Sequence, residues 1–126
     1  GQEIAKFGYG MVSGGMMGIM EAASHGCRNA GGLAVGIIPG SDPALGNPYL
    51  DITIPTGMGI MRNLLVVRSS VGIIAINGKY GTLSEIAYAL QLEKPVVGLQ
   101  TWDISEEIIK VDTAHEAVET IIKNTK

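Results

Sequence analysis

The chain has 126 residues, a net charge of −3, 17% charged residues and 46% hydrophobic residues. It contains no run of Lys or Arg, which argues against a nucleic-acid surface, and no apolar stretch of membrane-spanning length. The single cysteine, Cys27, excludes an internal disulfide and fits a reducing cytoplasm. We therefore expect a cytoplasmic domain with no nucleic-acid or membrane partner, whose apolar surface is buried in its fold or in an oligomer.

Strand and helix patterns alternate along the chain. Short apolar runs rich in β-branched residues predict strands buried on both faces, and apolar residues three and four apart predict helices. The predicted order is helix 2–7, strand 9–13, glycine turn 14–18, helix 19–30, strand 33–38, loop 41–48, strand 49–54, helix 60–68, strand 71–76, glycine turn 77–81, helix 82–92, strands 96–99 and 108–111, and helix 114–124. This alternation predicts a Rossmann-like three-layer α/β/α sandwich with a mainly parallel sheet.

One strand is missing from this pattern. The chain opens in the last turns of a helix, and no strand comes before it. In a doubly wound sheet that strand would be the central one, and without it two rows of backbone groups would lack partners. We therefore expect a single Rossmann-like domain over 1–126 whose first strand lies before Gly1 in the natural polypeptide.

The segment 71–92 carries the strongest indication of a site. A buried strand runs into a turn with two glycines, and a helix follows the turn. The free N–H groups of such a turn, together with the positive end of the helix dipole, favour an anion such as phosphate. The residues expected to bind it are Gly78, Lys79, Tyr80, Gly81 and Thr82.

Thr82 and Glu85 support two interpretations. Their spacing fits a capping box, in which Thr82 accepts a hydrogen bond from the Glu85 N–H and the carboxylate reaches back to the cap. Glu85 would also lie at the C-terminal edge of the sheet, where ligands of open α/β sheets bind. The first interpretation is structural and the second is functional, and the spacing alone fits both.

The segment 13–18, SGGMMG, nearly fits the dinucleotide fingerprint, with Ser13 at the first glycine position. A strand precedes it and a helix follows, but no Asp or Glu closes the next predicted strand, where a ribose-binding carboxylate would lie. NAD is therefore not expected. The turn predicts either ligand contacts through Gly14, Gly15 and Gly18 or close packing of helix on strand, and we favour the ligand role.

Arg62 lies near the start of its predicted helix, where a lone arginine is usually solvated. Apolar side chains on the same segment form a stripe that is typical of a core or a subunit contact. They are Met58, Met61, Leu64 and Leu65. We expect this segment to contact another subunit, which predicts a homodimer or a larger homo-oligomer.

The remaining reactive side chains predict no catalytic set. His25 and His115 are expected to be structural or solvated, and Cys27 is expected to behave as a small buried apolar residue. The sequence shows no metal-ligand cluster and no Ser/His/Asp arrangement. No metal site and no required cofactor are predicted.

Two motifs resemble the Lonely Guy family, phosphoribohydrolases once labelled lysine decarboxylases. Residues 14–20, GGMMGIM, resemble the family's GGxxGxM segment, and residues 77–85 resemble its PGGxGTxxE signature. Asn77 replaces the Pro of that signature and Lys79 its second Gly. The matching signature residues are Gly78, Gly81, Thr82 and Glu85.

The resemblance extends to the residues around these motifs. Arg62 stands 23 positions before Glu85 (85 − 62), where the family has an arginine that works with the signature glutamate, although the lysine that follows it there is Asn63 here. The whole chain, including GIIPG and KPVVGL, is similar to a smaller sister branch that contains molybdenum-cofactor carrier proteins.

The resemblance implies cleavage of the N-glycosidic bond of a nucleoside 5′-monophosphate. The glycine turn and Thr82 would hold the phosphate, Arg62 would anchor the sugar phosphate, and Glu85 would stabilise the oxocarbenium charge or act on water. Lys79 could add a phosphate contact or block the site. The alternatives are a non-catalytic carrier of molybdenum cofactor or a related phosphorylated pterin, and a structural oligomer with a relict site. Of these the sequence favours hydrolysis.

Overall fold

The computed structural model describes residues 1–125 and confirms a Rossmann-like α/β fold with parallel strands. Its helices are α1 (Gln2–Lys6), α2 (Ile19–Asn29), α3 (Arg62–Arg68), α4 (Tyr80–Gln91) and α5 (Ala114–Asn124). Its strands are β1 (Met11–Ser13), β2 (Ala34–Ile38), β3 (Ile52–Pro55), β4 (Ile73–Ile76), β5 (Val96–Leu99) and β6 (Ile109–Lys110). Single 3₁₀ turns cover Pro43–Leu45 and Gly59–Met61. The chain divides into two compact units, Gly1–Val66 and Val67–Lys126.

The first unit contains a three-stranded parallel sheet in the order β1-β2-β3. Helix α2 packs on this sheet and α1 packs on α2. The core between them consists of Met11, Ala34 and the fully buried Cys27, as predicted for that thiol. Burial raises the pKa of the Cys27 thiol, which favours its protonated form.

The second unit contains a parallel sheet in the order β4-β5-β6 and is covered on both faces. Val96 belongs to a core cluster with Ile86 of α4, whereas its neighbour Val97 belongs to a cluster with Ala117 and Ile121 of α5. Because successive side chains of a strand point to opposite faces, α4 and α5 lie on opposite sides of this sheet. The apolar run of β5 is therefore buried on both faces.

Glycine and threonine mark the helix ends that the sequence predicts. Gly8 follows α1 with a φ of 83°, a left-handed conformation that ends a helix. The Thr113 hydroxyl accepts a hydrogen bond from the Glu116 N–H at 3.1 Å and caps α5. The loop after Asp42 contains a 3₁₀ turn whose first N–H groups are partly satisfied by the Asp42 carboxylate.

The described strands form two sheets of three strands each. The sequence predicts a sheet without its central strand, and both the strand expected before Gly1 and the single-domain organisation remain predictions. In the part of the chain that the structure describes, no helix is long and apolar enough to cross a membrane.

Candidate functional site

The turn between β1 and α2 is held by a buried hydrogen-bond network centred on Asn47. Its side-chain amide donates to the Met16 carbonyl at 3.1 Å and to the Ser24 hydroxyl at 3.3 Å, and its backbone N–H donates to the Gly15 carbonyl at 2.8 Å. Asn47 is 4% exposed and Ser24 is fully buried. The Ser13 hydroxyl accepts from the Gly15 N–H at 3.1 Å. The turn is therefore fixed from both of its ends.

The same turn lies against the guanidinium of Arg62. A Cβ added to Gly14 would stand 2.7 Å from Nη2 of Arg62 and 2.8 Å from Sδ of Met20. Arg62 is partly buried, so it is not the solvated arginine that its position in a helix would suggest. The structure thus brings together two of the predicted site residues, Gly14 and Arg62, within the first unit.

Glycine stands at positions 15 and 18 for different structural reasons. Gly15 has a φ of 72°, and a Cβ there would stand 2.7 Å from Cγ2 of Ile38 and 3.0 Å from the Cα of Gly36. The close-packing interpretation of the turn therefore accounts for Gly15. Gly18 also has a positive φ, 73°, but an added Cβ would meet open space. It opens α2 as its N-cap.

The turn between β4 and α4 is open to solvent. Every residue from Asn77 to Gly81 is exposed. Asn77 and Gly78 adopt φ values of 48° and 93°, and Thr82 packs so closely on Gly78 that any side chain at position 78 would collide with the threonine hydroxyl. Glycine at position 78 therefore allows Thr82 to close the turn.

The capping box predicted for Thr82 and Glu85 is wrong. Helix α4 begins at Tyr80 with Lys79 as its N-cap, and no side chain caps it in the described part of the chain. Thr82 is therefore the third helical residue, and the partly buried Glu85 lies in the second turn. A capping box needs its threonine at the N-cap, but here the glycine turn itself leads into the helix.

The missing cap leaves the start of α4 suited to an anion. The first N–H groups of a helix have no intrahelical acceptors. At the start of α4 no side-chain cap accepts from them among the described residues. With twelve residues, α4 has an appreciable dipole whose positive end lies at Tyr80. The exposed Lys79 adds a full positive charge beside these N–H groups. The five residues predicted to bind phosphate are thus placed together in the second unit.

A cavity of about 340 Å³ opens beside this turn, at the carboxyl ends of β4 and β5. Its walls are formed by Asn77, Gly78, Gln100, Thr101 and Trp102. The Thr101 hydroxyl donates to the Asn77 carbonyl at 2.6 Å, and the Trp102 indole N–H donates to the Lys79 carbonyl at 2.9 Å. Two hydrogen bonds thus tie the segment after β5 to the glycine turn.

The sequence analysis missed Asn47 and the segment 100–102. Asn47 lies in a loop that the turn residues predict only as a connection. Residues 100–102 follow directly on a predicted strand, and the rule that the carboxyl ends of parallel strands share one edge could have placed them beside the glycine turn.

Arg62 and Glu85 belong to different units, so their joint action remains a prediction.

Both histidines contact neighbouring side chains, as expected for structural residues. His25 stacks on Tyr49 with ring centroids 4.1 Å apart, and His115 lies 3.5 Å from a carboxylate oxygen of Glu119 on α5. Residues 1–125 contain no group of three or more acidic, histidine or cysteine side chains placed to hold a metal ion.

Comparison with known proteins agrees with the resemblance seen in the sequence. A model of the SLOG cluster4 family matches residues 1–126. An uncharacterised protein of Archaeoglobus fulgidus is 40% identical over 125 residues, which cover 99% of this chain and 82% of that protein. Two solved structures each match 97% of the chain with a TM-score of 0.87. The molybdenum cofactor binding protein of Rippkaea orientalis is 35% identical, with 80% of it covered, and the molybdenum cofactor carrier protein of Chlamydomonas reinhardtii is 29% identical, with 81% covered.

Proposed function

Because the chain belongs to the SLOG cluster4 family, we propose that it binds and carries a phosphorylated pterin of the molybdenum-cofactor type. The observation that carries this proposal is the likeness, over nearly the whole chain, to proteins that bind or carry this cofactor. The carrier alternative of the sequence analysis thereby replaces hydrolysis as the favoured function.

The second glycine turn supports the proposal through the chemistry of its donors. The phosphate of the ligand would accept hydrogen bonds from the N–H groups at the start of α4, and Lys79 would compensate its charge. The enzymes' signature has a glycine at the position of Lys79. A lysine there suits retention of an anion, because its positive charge raises the affinity for phosphate.

The experiment compares retention of molybdenum cofactor by the wild type and by two variants with the same charge change. Lys79→Ala removes the cation beside the turn, whereas Lys123→Ala removes an exposed cation near the end of α5. After ultrafiltration, protein-bound molybdenum is measured by mass spectrometry. We expect about one cofactor per chain for the wild type and Lys123→Ala, and a clear loss for Lys79→Ala. No retention by the folded wild type would overturn the proposal.

Hydrolysis of a nucleoside 5′-monophosphate is the second candidate, favoured by the contact between Arg62 and Gly14 and by the partly buried Glu85. In that function Glu85 would stabilise the oxocarbenium charge, so Glu85→Gln should lower base release by about tenfold or more. Arg62→Ala should weaken binding as well. Glu106→Gln, which changes an exposed carboxylate, serves as the control. If no base is released from a panel of nucleoside monophosphates, hydrolysis is excluded and carriage is the remaining candidate function.

We also propose that the chain pairs with a second copy of itself through the segment 52–61. These ten consecutive residues carry no charged side chain. Within the segment Met58 is 42%, Ile60 84% and Met61 66% exposed. An uncharged, exposed apolar surface of this kind suits a self-complementary contact about a two-fold axis. Light scattering at micromolar concentration should give a dimer or larger species, and Ile60→Glu should shift it towards monomer; a monomeric wild type would refute the proposal.

A further inference from the structure

Two of the six aromatic side chains of the protein stand together beside the cavity of the second unit. Tyr80, the first residue of α4, is 80% exposed, and its ring centroid lies 6.1 Å from that of Trp102 with 29° between the ring planes. Trp102 is supported on one side by the core cluster of the second unit. An aromatic ring left this exposed offers a face on which another flat ring can stack.

One ring of the pair, the indole of Trp102, is held in place before any ligand arrives. The indole N–H of Trp102 is bonded to the Lys79 carbonyl at 2.9 Å, and Thr101 is bonded to the Asn77 carbonyl at 2.6 Å. These bonds join the segment after β5 to the turn after β4. A pre-positioned indole loses little conformational entropy when a ligand stacks beside it, and this favours binding.

Two amide side chains border the same cavity. Asn77 and Gln100, the residues that follow β4 and β5, adopt φ values of 48° and 49°, which residues other than glycine seldom take. Both are exposed, and each amide offers a donor and an acceptor. A fused nitrogen heterocycle with an oxo and an amino group along its edge presents the complementary acceptor and donors.

We propose that Tyr80 and Trp102, together with the amides of Asn77 and Gln100, form a subsite for a flat fused nitrogen heterocycle of the purine or pterin class. The inference rests on the proposed function in that the phosphate of the same ligand occupies the start of α4. The open depression of about 340 Å³ beside the turn leaves room for one such ring. Stacking on Tyr80 selects a planar ring, and the two amides select its polar edge.

The test separates the contribution of the ring to binding from that of the phosphate. Titration calorimetry on the full chain uses three probes: guanosine 5′-monophosphate, a neopterin phosphate, and ribose 5-phosphate, which has the phosphate but no ring. We expect at least one of the two ring-bearing probes to bind about tenfold or more tightly than ribose 5-phosphate, in line with the effect of one stacked base on an aromatic side chain. The tighter of the two identifies the purine or the pterin class.

Variants of two tyrosines on α4 give a matched comparison. Tyr80→Ser should remove most of the advantage of the ring-bearing probe, whereas Tyr80→Phe should keep it. The affinity for ribose 5-phosphate should fall far less than that for the ring-bearing probe, because Tyr80 would contact phosphate only through its backbone N–H, which both variants keep. Tyr88→Ser, which changes another exposed tyrosine of the same helix, should have no effect. Because Tyr80 is exposed, its substitution leaves the core intact, and circular dichroism checks this.

Equal binding of ring-bearing and ring-free probes, or an unchanged advantage in Tyr80→Ser, would overturn the ring subsite and leave the phosphate site standing. Absence of binding by every probe would overturn the subsite, and if molybdenum cofactor were not retained either, the proposed function would fall as well.

Discussion

The two glycine turns follow the same order of strand, turn and helix, yet they differ in almost every physical respect. In the first turn Gly14 and Gly15 are buried, and the turn is fixed by Asn47 and packed on β2. In the second turn every residue from Asn77 to Gly81 is exposed, and the helix begins without a side-chain cap. The first turn uses its backbone groups for internal hydrogen bonds, whereas the N–H groups where the second turn enters its helix have no side-chain cap in the described part of the chain. The same local pattern serves packing in the first turn, and we propose that it serves recognition in the second.

The largest effect is expected for Gly15→Ala in the buried turn. The new Cβ would stand 2.7 Å from Ile38 and 3.0 Å from the backbone of Gly36, at a φ of 72° that L-residues resist. Strain and overpacking together should lower the free energy of unfolding by about 3 kcal/mol. Gly18→Ala has a similar φ, with a ψ of −131°, but the added methyl group would meet open space, so only backbone strain acts and the loss should be smaller, about 1–2 kcal/mol. Urea unfolding measures both; equal losses would show that packing does not distinguish the two positions.

Removal of the Asn47 side chain should have the next largest effect. Asn47→Ala leaves the buried Ser24 hydroxyl and the Met16 carbonyl without their amide partner, and it also removes the oxygen that accepts from the Tyr49 N–H. We expect a loss of about 2 kcal/mol in the free energy of unfolding. Asn124→Ala, which removes an exposed amide, should stay within about 0.5 kcal/mol. A mild result for Asn47→Ala would mean that the first turn is not fixed by this network.

Gly14→Ala sharpens the comparison by separating binding from stability. The added methyl group would meet Nη2 of Arg62 and Sδ of Met20, the ends of two flexible side chains that can move away. The free energy of unfolding should therefore fall by only about 1 kcal/mol. In the hydrolysis candidate Arg62 anchors the sugar phosphate, so its displacement should weaken ribose 5-phosphate binding by about tenfold. Unchanged affinity in calorimetry would assign Arg62 a purely structural role.

The smallest effect is a set of chemical-shift changes that should distinguish the two turns directly. In an amide NMR titration with inorganic phosphate, the N–H groups from Gly78 to Thr82 should shift first. The Gly15 N–H already donates to Ser13, so it should not move at the same phosphate concentrations. Shifts confined to the first turn would reverse the roles that we assign to the two turns.

Much of the fold could be predicted because local patterns determine it. The apolar run at β5 and the threonine cap of α5 each need only a few neighbouring residues, and both agree with the structure. The start of α4 could not be placed this way, since a glycine turn that continues into a helix has no capping side chain to mark the boundary.

Only part of the candidate site could be predicted from the sequence, for a related reason. Glycine motifs show where a backbone must bend, and they located both turns. The bond from Trp102 to Lys79 joins residues 23 positions apart, and the bond from Asn47 to Met16 joins residues 31 apart. Contacts of this range depend on how strands are placed beside one another, which no local pattern contains.

Trp102 is the single tryptophan of the chain, and its indole N–H is anchored to the glycine turn at the rim of the cavity. The protein therefore carries a built-in optical reporter at the place where we propose that a ring binds. Its fluorescence comes from one defined position, so a change in emission on ligand addition cannot be averaged over several indoles. Time-resolved emission would follow the binding and release of a ligand without any label, and would so measure the rate of release that the proposed carrier function requires.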